Sequence, residues 1–186
     1  MAASSAASAS TNPRYETVSA ELFTLTHGAI VAQVVRDYED QKEANAQLEA
    51  IGYNIGVRIV DDFCAKSRVV RCRSFRETME TLARDALRMY LGVQGVVEGW
   101  SADGRECSLR LPDNPLADFV ELPPTYSELR YSNVLCGVVR GSLEMLSMRV
   151  ECFFTADQLH GDEQTVLRVC LREVLGEGAG AAYKEE

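Results

Sequence analysis

The chain has 186 residues, of which 46% are hydrophobic and 25% charged, a composition typical of one globular domain of ordinary size. Its formal net charge of −9 at pH 7 disfavours nucleic acid as a partner, because an acidic surface repels phosphates. It contains no run of about 20 apolar residues, so we expect no membrane-spanning helix.

The two ends of the chain are poor in large apolar residues. Residues 1–14 lack the basic and Leu-rich regions of a secretory signal, and Ala2 in place of Gly excludes N-myristoylation. A transit peptide is an alternative, but we expect a disordered Ala/Ser-rich tail there. We expect a single α+β domain over residues 15–175 and a flexible C-terminal tail over 176–186.

Hydrophobic spacing predicts three helices in the first half of the chain. Ser19 can cap the first helix, which should end near Tyr38, and the second should begin after residues 39–45. Gly52 and Gly56 lie one turn apart on the second helix, where they either permit close approach of a neighbouring helix or merely weaken this one. The apolar ladder of the second helix consists of Leu48, Ile51, Ile55, Ile59 and Phe63.

The third helix has the clearest start and stop signals. Ser74 and Glu77 form a capping box, and Gly92 favours a C-terminal stop. The predicted apolar face of this helix consists of Phe75, Met79, Leu82, Ala83, Ala86, Leu87 and Tyr90.

The hydrophobic period then changes from helical to alternating. Residues 93–100 and 106–111 predict two strands joined by a turn. A fourth helix over about 132–148 is apolar nearly all round, and strands around 150–154 and 165–171 follow it. This order predicts an α+β fold with four main helices packed on one face of an antiparallel sheet.

The six cysteines do not form a recognisable metal or disulfide framework. None belongs to a CxxC pair, and their long, irregular spacings argue against a zinc site. Without a secretion signal, disulfides are not expected either. Most of the thiols are predicted to be small core residues, whereas Cys72 lies in a basic segment.

A run of basic residues surrounds Cys72, and no acidic residue interrupts it. The run consists of Lys66, Arg68, Arg71, Arg73 and Arg76. Nearby cations favour a thiolate, and Cys72 precedes a predicted helix N-terminus, so we expect it to be the most nucleophilic of the six. Such a thiol is suited to thioester formation with an acyl donor.

The basic run has other interpretations. It can be an ordinary solvated loop with an inert cysteine, or a surface that faces an anionic membrane leaflet. A nucleic-acid contact is disfavoured, because no exposed aromatic residues interleave with the bases.

The sequence does not predict an active site. No Ser/His/Asp or Cys/His arrangement stands out, and a thiol enzyme using Cys72 lacks an identifiable base or oxyanion partner. His27 has apolar neighbours on the first helix and is predicted to be a core or interface histidine with its hydrogen bonds satisfied. We therefore expect a non-enzymatic protein without a metal site.

Five ordered segments carry a family resemblance over about residues 15–175. They are SAELFTLTHGA from Ser19, GYNIGVR from Gly52, RCRSFRET from Arg71, NPLADFVELP from Asn114 and YSNVLCGVVRG from Tyr131. Together they resemble the TRAPP (transport protein particle) small-subunit family, of the lipid-carrying Bet-three type. The resemblance implies the same α+β fold.

The resemblance also implies a role for Cys72. This residue matches the family's S-palmitoylated cysteine, whose covalent palmitate lies in a hydrophobic tunnel. Because the third helix starts two residues after Cys72, we expect its inner face to line the tunnel with Met79, Leu82, Ala83 and Ala86. The two small alanines leave room for a chain, although ordinary helix packing explains them equally well.

The resemblance further implies partners and a location. The family supplies core subunits to a complex that tethers vesicles between endoplasmic reticulum and Golgi and contributes to nucleotide exchange on a Rab-type GTPase. Its members pair through their first helices, and the first two helices here are too apolar for one face alone. The implied location is cytoplasmic, peripheral at cis-Golgi and endoplasmic reticulum membranes, with the basic run facing the membrane. The C-terminal tail does not match the family's ending, and the alternative function is a stand-alone lipid- or small-molecule-binding module.

Overall fold

The computed structural model describes residues 17–67, 72 and 74–176; the tail predicted at 1–14, and all but the first residue of the tail predicted at 176–186, lie outside these residues. The elements in chain order are α1 (Ala20–Asp37), α2 (Gln41–Ser67), α3 (Phe75–Thr81), a π-helical turn (Leu82–Ala86), α4 (Leu87–Leu91), β1 (Val96–Glu98), β2 (Glu106–Leu111), α5 (Val134–Met145), β3 (Met148–Ala156) and β4 (Thr165–Val174). Since α3, the π-helical turn and α4 are continuous, they form one third helix. The predicted α+β fold with four main helices is confirmed.

The four strands form one antiparallel sheet in the order β1-β2-β4-β3. Val169 of β4 lies between Cys107 of β2 and Cys152 of β3, and all three side chains are buried. Alternating residues of β2 are buried as predicted, because only one face of the sheet meets the helices. The main core joins this face to the third helix and α5.

Helices α2 and α5 cross at a distance that only glycine allows. A Cβ added at Gly52 would lie 2.0 Å from the carbonyl oxygen of Val134, and one at Gly137 would lie 2.0 Å from that of Glu49. Ordinary packing does not permit such separations, so both backbones come into direct contact. The interpretation of Gly52 as a packing residue is confirmed.

The predicted helix caps form. The Ser19 side chain accepts a hydrogen bond from the backbone N of Leu22 (3.2 Å), and the Ser74 side chain accepts one from the backbone N of Glu77 (3.2 Å). Gly92 ends the third helix in a left-handed conformation with φ of 74°, which glycine adopts without strain.

Three predicted boundaries are wrong. Helix α2 begins at Gln41, ahead of the predicted start, because an Asp40 carboxylate oxygen accepts from the backbone N of Lys42 (2.9 Å) and caps the helix there. Strand β1 covers only Val96–Glu98, since Gly99 turns the chain with φ of 61°. Helix α5 is shorter than predicted at both ends.

The structure also bears on membrane crossing. Within residues 17–67 and 74–176, none of the helices combines the length and the apolar character that spanning a bilayer requires.

Candidate functional site

A cavity of about 1130 Å³ lies between the helices and the sheet. This volume is comparable to the upper end of the range of ligand pockets, about 300–1,000 Å³. Most of the wall is apolar, and Cys72 forms part of it. The apolar lining includes Ile55 and Ile59 of α2, Leu82 and Ala86 of the third helix, and Val138 and Val139 of α5.

The four predicted lining residues of the third helix separate into two pairs. Leu82 and Ala86 line the cavity. Met79 and Ala83 instead are buried in the main core, with 0% and 3% of their surface exposed, and are not among the lining residues. The Ala83 carbonyl accepts a hydrogen bond from the backbone N of Gly95 (2.9 Å), just before β1, which shows that this side of the helix faces the sheet.

Two threonines of α3, of which Thr81 contacts Cys72, were not singled out in the sequence. The half-buried Cys72 Sγ donates a hydrogen bond to Thr81 Oγ1 at 3.6 Å. One turn earlier, the Thr78 hydroxyl donates to the Ser74 carbonyl at 2.9 Å. Both threonines line the cavity. In the sequence they could have been found as the two polar residues, four and seven positions after the Ser74 cap, that interrupt an otherwise apolar helix face.

Burial makes three other cysteines poor nucleophiles. Desolvation raises the pKa of Cys107 to about 12 and also raises the pKa of Cys170. A hydrogen bond with Cys136, together with burial, raises the pKa of Cys152. A thiolate is therefore disfavoured at each of these three positions.

Two members of the basic run have described neighbours. Lys66 Nζ lies 2.8 Å from an Asp62 carboxylate oxygen, an exposed ion pair on one turn of α2. The Arg76 guanidinium lies over the ring of Trp100, 4.1 Å from its centroid, and the same ring meets Phe75 edge-on. The other three lie outside the described residues: Arg68, Arg71 and Arg73.

The outer surface of α1 is apolar and exposed. Leu22 and Leu25 expose 64% and 63% of their surface, and Phe23 and Ile30 are exposed as well. Ile55 of α2 adds to the exposed apolar residues. Exposed apolar residues on this scale are typical of protein interaction surfaces.

Comparisons with known proteins agree with the predicted resemblance. A family model described as transport protein particle (TRAPP) component matches residues 23–170. The chain is 47% identical over 171 residues to trafficking protein particle complex subunit 3 of Dictyostelium discoideum, covering 91% of this chain and 92% of that protein. It is 48% identical over 165 residues to transport protein particle subunit bet3 of Schizosaccharomyces pombe, covering 88% and 90%.

A solved structure extends this likeness to three dimensions. It is the crystal structure of a trafficking protein particle complex subunit 3 from Naegleria fowleri covalently bound to palmitic acid. The TM-score is 0.82 at 46% identity, covering 85% of this chain and 98% of that one. These relatives are subunits of a complex, in agreement with the expectation of a non-enzymatic protein. The chain therefore belongs to the TRAPP component family, as a homologue of its subunit 3, the Bet-three type.

Proposed function

We propose that this chain is a core subunit of a TRAPP tethering complex in endoplasmic reticulum to Golgi transport, with a palmitoyl group on Cys72. The observation that carries the proposal is the position of Cys72 in the wall of a largely apolar cavity of about 1130 Å³. The covalent palmitic acid of the Naegleria fowleri relative supports it.

The size of the cavity suits a fatty chain. An engineered cavity of about 150 Å³ that holds benzene indicates about 25 Å³ per carbon, so a palmitoyl chain needs on the order of 400 Å³. Burial of its methylenes at about 0.8 kcal/mol each gives an upper bound on the order of 10 kcal/mol. The acyl chain would therefore act as part of the core rather than as a membrane anchor.

Intact-mass spectrometry of the full chain from eukaryotic cells tests the proposal. We expect one palmitoyl addition that neutral hydroxylamine removes, that Cys72→Ser abolishes and that the control Cys64→Ser retains. Cys64 is a suitable control because it is an exposed free thiol that, like Cys72, lines the cavity. An unmodified chain, or palmitate on Cys72→Ser, would contradict the proposal. A reversible ligand without a thioester would favour the lipid-binding module, and turnover of an acyl ester would favour a thiol enzyme.

A substitution that fills part of the cavity tests whether the acyl chain lies in it. Ala86→Leu adds volume to the cavity wall, so we expect acyl occupancy to fall while the unfolding midpoint is retained. Ala46→Leu is the matched control, since Ala46 is exposed on α2. Normal occupancy in Ala86→Leu would show that the chain does not lie beside this residue.

The partners are proposed to be other TRAPP small subunits, bound through α1 and α2, and through the assembled complex a Rab-type GTPase. The exposure of Leu22 and Leu25 supports this assignment. We expect Leu22→Asp/Leu25→Asp to leave the acylated chain folded but absent from the purified complex. Unchanged assembly would exclude this surface.

A second experiment tests the C-terminal tail. The rate of nucleotide exchange is measured with a complex in which this subunit lacks residues 177–186, and an unchanged rate would exclude the tail from the exchange mechanism.

The location is proposed to be cytoplasmic and peripheral, at cis-Golgi and endoplasmic reticulum membranes, with the basic run toward the leaflet. Each base near an anionic leaflet contributes about 1 kcal/mol. Flotation of the assembled complex with anionic liposomes tests this orientation. We expect Lys66→Glu/Arg76→Glu to weaken binding at low salt, and equal binding would exclude these two residues.

A further inference from the structure

Thr81 is placed to take part in the chemistry of Cys72. Its Oγ1 accepts the hydrogen bond from Cys72 Sγ at 3.6 Å, and only 8% of the residue is exposed. Among residues 17–67, 72 and 74–176, the Thr81 side chain makes no other hydrogen bond. The proton is therefore available for a further hydrogen bond inside the cavity.

The neighbouring Thr78 provides an internal comparison. It lines the same cavity and is also buried, but its hydroxyl donates to the Ser74 carbonyl at 2.9 Å. That bond belongs to the first turn of α3 and leaves no proton for Cys72. Two threonines on one helix face thus differ in what their hydroxyls can do.

We propose that the Thr81 hydroxyl promotes acylation of Cys72; this inference rests on the proposed function. While sulfur keeps its proton, Sγ–H donates to Oγ1. Once that proton has passed to water, the bond reverses, and Oγ1–H donates to the thiolate and stabilises the nucleophile. Hydroxyl rotation alone accomplishes the reversal, because Oγ is both donor and acceptor.

The acyl transfer balances with an acyl thioester of the acyl-coenzyme A class as donor. The Cys72 thiolate attacks the carbonyl carbon, and the Sγ–C bond forms. The C–S bond of the donor breaks, and the leaving thiolate takes a proton from water. As the Sγ–C bond forms, negative charge passes from Sγ to the carbonyl oxygen of the attacked carbon, and rotation turns the one Thr81 O–H from the sulfur toward that oxygen. A donor aimed at that oxygen lowers the barrier.

The hydrogen bond also orients the sulfur. It holds Sγ beside a cavity-lining residue, so the incoming acyl chain enters the apolar space as the thioester forms. Loss of a fixed oxyanion donor in a protease slows the reaction about 100-fold to 1,000-fold. For a rotating hydroxyl we expect a smaller effect, a rate about tenfold lower.

The test follows acylation of the full chain, after hydroxylamine treatment, by palmitoyl-coenzyme A with intact-mass detection. We expect Thr81→Val, which keeps the shape but loses the hydroxyl, to acylate about tenfold more slowly. Thr81→Ser should restore the rate, and Thr24→Val, at a buried threonine that is not among the residues lining the cavity, should keep the parental rate. The maximal rate should fall while the half-saturating donor concentration stays unchanged, because the cavity keeps its shape.

The possible outcomes distinguish a failure of the Thr81 inference from a failure of the proposed function. Equal rates in the parent and Thr81→Val overturn the inference alone, as does a slow rate that serine does not restore. A parent chain that takes up no acyl group overturns the proposed function together with the inference. If Thr81→Val does not fold, Thr81→Ala compared with Thr24→Ala gives the same contrast.

Discussion

His27 illustrates how a single polar side chain is held in the interior. The residue is 7% exposed, and its Nε2 lies 3.1 Å from the Tyr131 carbonyl oxygen. Since a carbonyl only accepts, Nε2 carries the proton, and the ring meets that of Tyr131 edge-on. Burial lowers the pKa of His27 below its ordinary 6.5, and the smaller effect of the carbonyl opposes this shift. The prediction of a satisfied core histidine is confirmed.

This lowered pKa predicts an acid-side loss of stability. Above the ordinary pKa of 6.5 the imidazole is neutral in both states, and the full stability is present. As the pH falls below that value, the unfolded chain binds the proton first, so the free energy of unfolding decreases toward the folded pKa. His27→Gln keeps an N–H donor but does not titrate. Urea unfolding from about pH 7.5 to about pH 5.0 should show a steeper loss in the parent. Parallel curves would contradict the assignment.

At the residue scale, the sequence identified part of the site. Cys72 was found from its basic neighbours, and Leu82 and Ala86 from the helical period and the resemblance. The third helix is apolar both on the side that lines the cavity and on the side that faces the sheet. The spacing of its hydrophobic residues therefore could not distinguish these two sides. Thr81 was missed because its role depends on the contact with Cys72, which the helical period does not predict.

At the element scale, the crossing of α2 and α5 depends on two pairs of glycines. Gly52 and Gly56 face α5, and Gly137 and Gly141 face α2. A Cβ added at any of these four positions would lie within 2.4 Å of a backbone oxygen of the other helix. The four-residue spacing in both helices was visible in the sequence. Matching rows of glycine let the two backbones pack without side chains between them. This contact fixes one wall of the cavity, since both helices line it.

Gly137→Ala should therefore separate the helices. Its Cβ would lie 2.0 Å from the Glu49 carbonyl and 2.6 Å from the Tyr53 amide nitrogen, and a backbone cannot yield as a side chain does. We expect a loss of at least about 3 kcal/mol in the free energy of unfolding, at the upper end of overpacking effects. Urea denaturation measures it.

Gly28→Ala is the control for this prediction. Among the described residues, its added Cβ meets only the Tyr131 hydroxyl, at 3.1 Å, and the helical position gains propensity. We expect a change within about 1 kcal/mol. Equal effects at positions 28 and 137 would show that the close backbone contact is not what limits this crossing.

Element boundaries were predicted well where a local signal exists. Ser19, Ser74 and Gly92 cap their helices as expected, because capping depends on neighbouring residues alone. The π-helical turn at Leu82–Ala86 was not predicted, since one extra residue per turn barely alters an apolar pattern. The start of α2 was placed too late because its first polar residues bond to the loop before α5, as Asn45 does with Arg130.

At the scale of the whole molecule, the cavity would make the proposed acyl chain and the fold interdependent. Protein interiors reach the density of organic crystals, and a space of about 1130 Å³ bounded by α2, the third helix, α5 and the sheet departs from that density. An apolar chain covalently attached at the wall would fill part of this space and make contacts with the apolar lining. In the unfolded chain the same group is exposed to water, so acylation should stabilise the folded state.

Removal of the acyl group should therefore lower stability without changing the sequence. We expect neutral hydroxylamine to decrease the free energy of unfolding by several kcal/mol, below the upper bound on the order of 10 kcal/mol, because relaxation recovers part of the loss. Thermal and urea unfolding of the same preparation before and after treatment measure the difference. Cys72→Ser is the control, since hydroxylamine should leave its stability unchanged. A parent whose mass falls by one palmitoyl group while its unfolding midpoint stays constant would show that the chain lies outside the core.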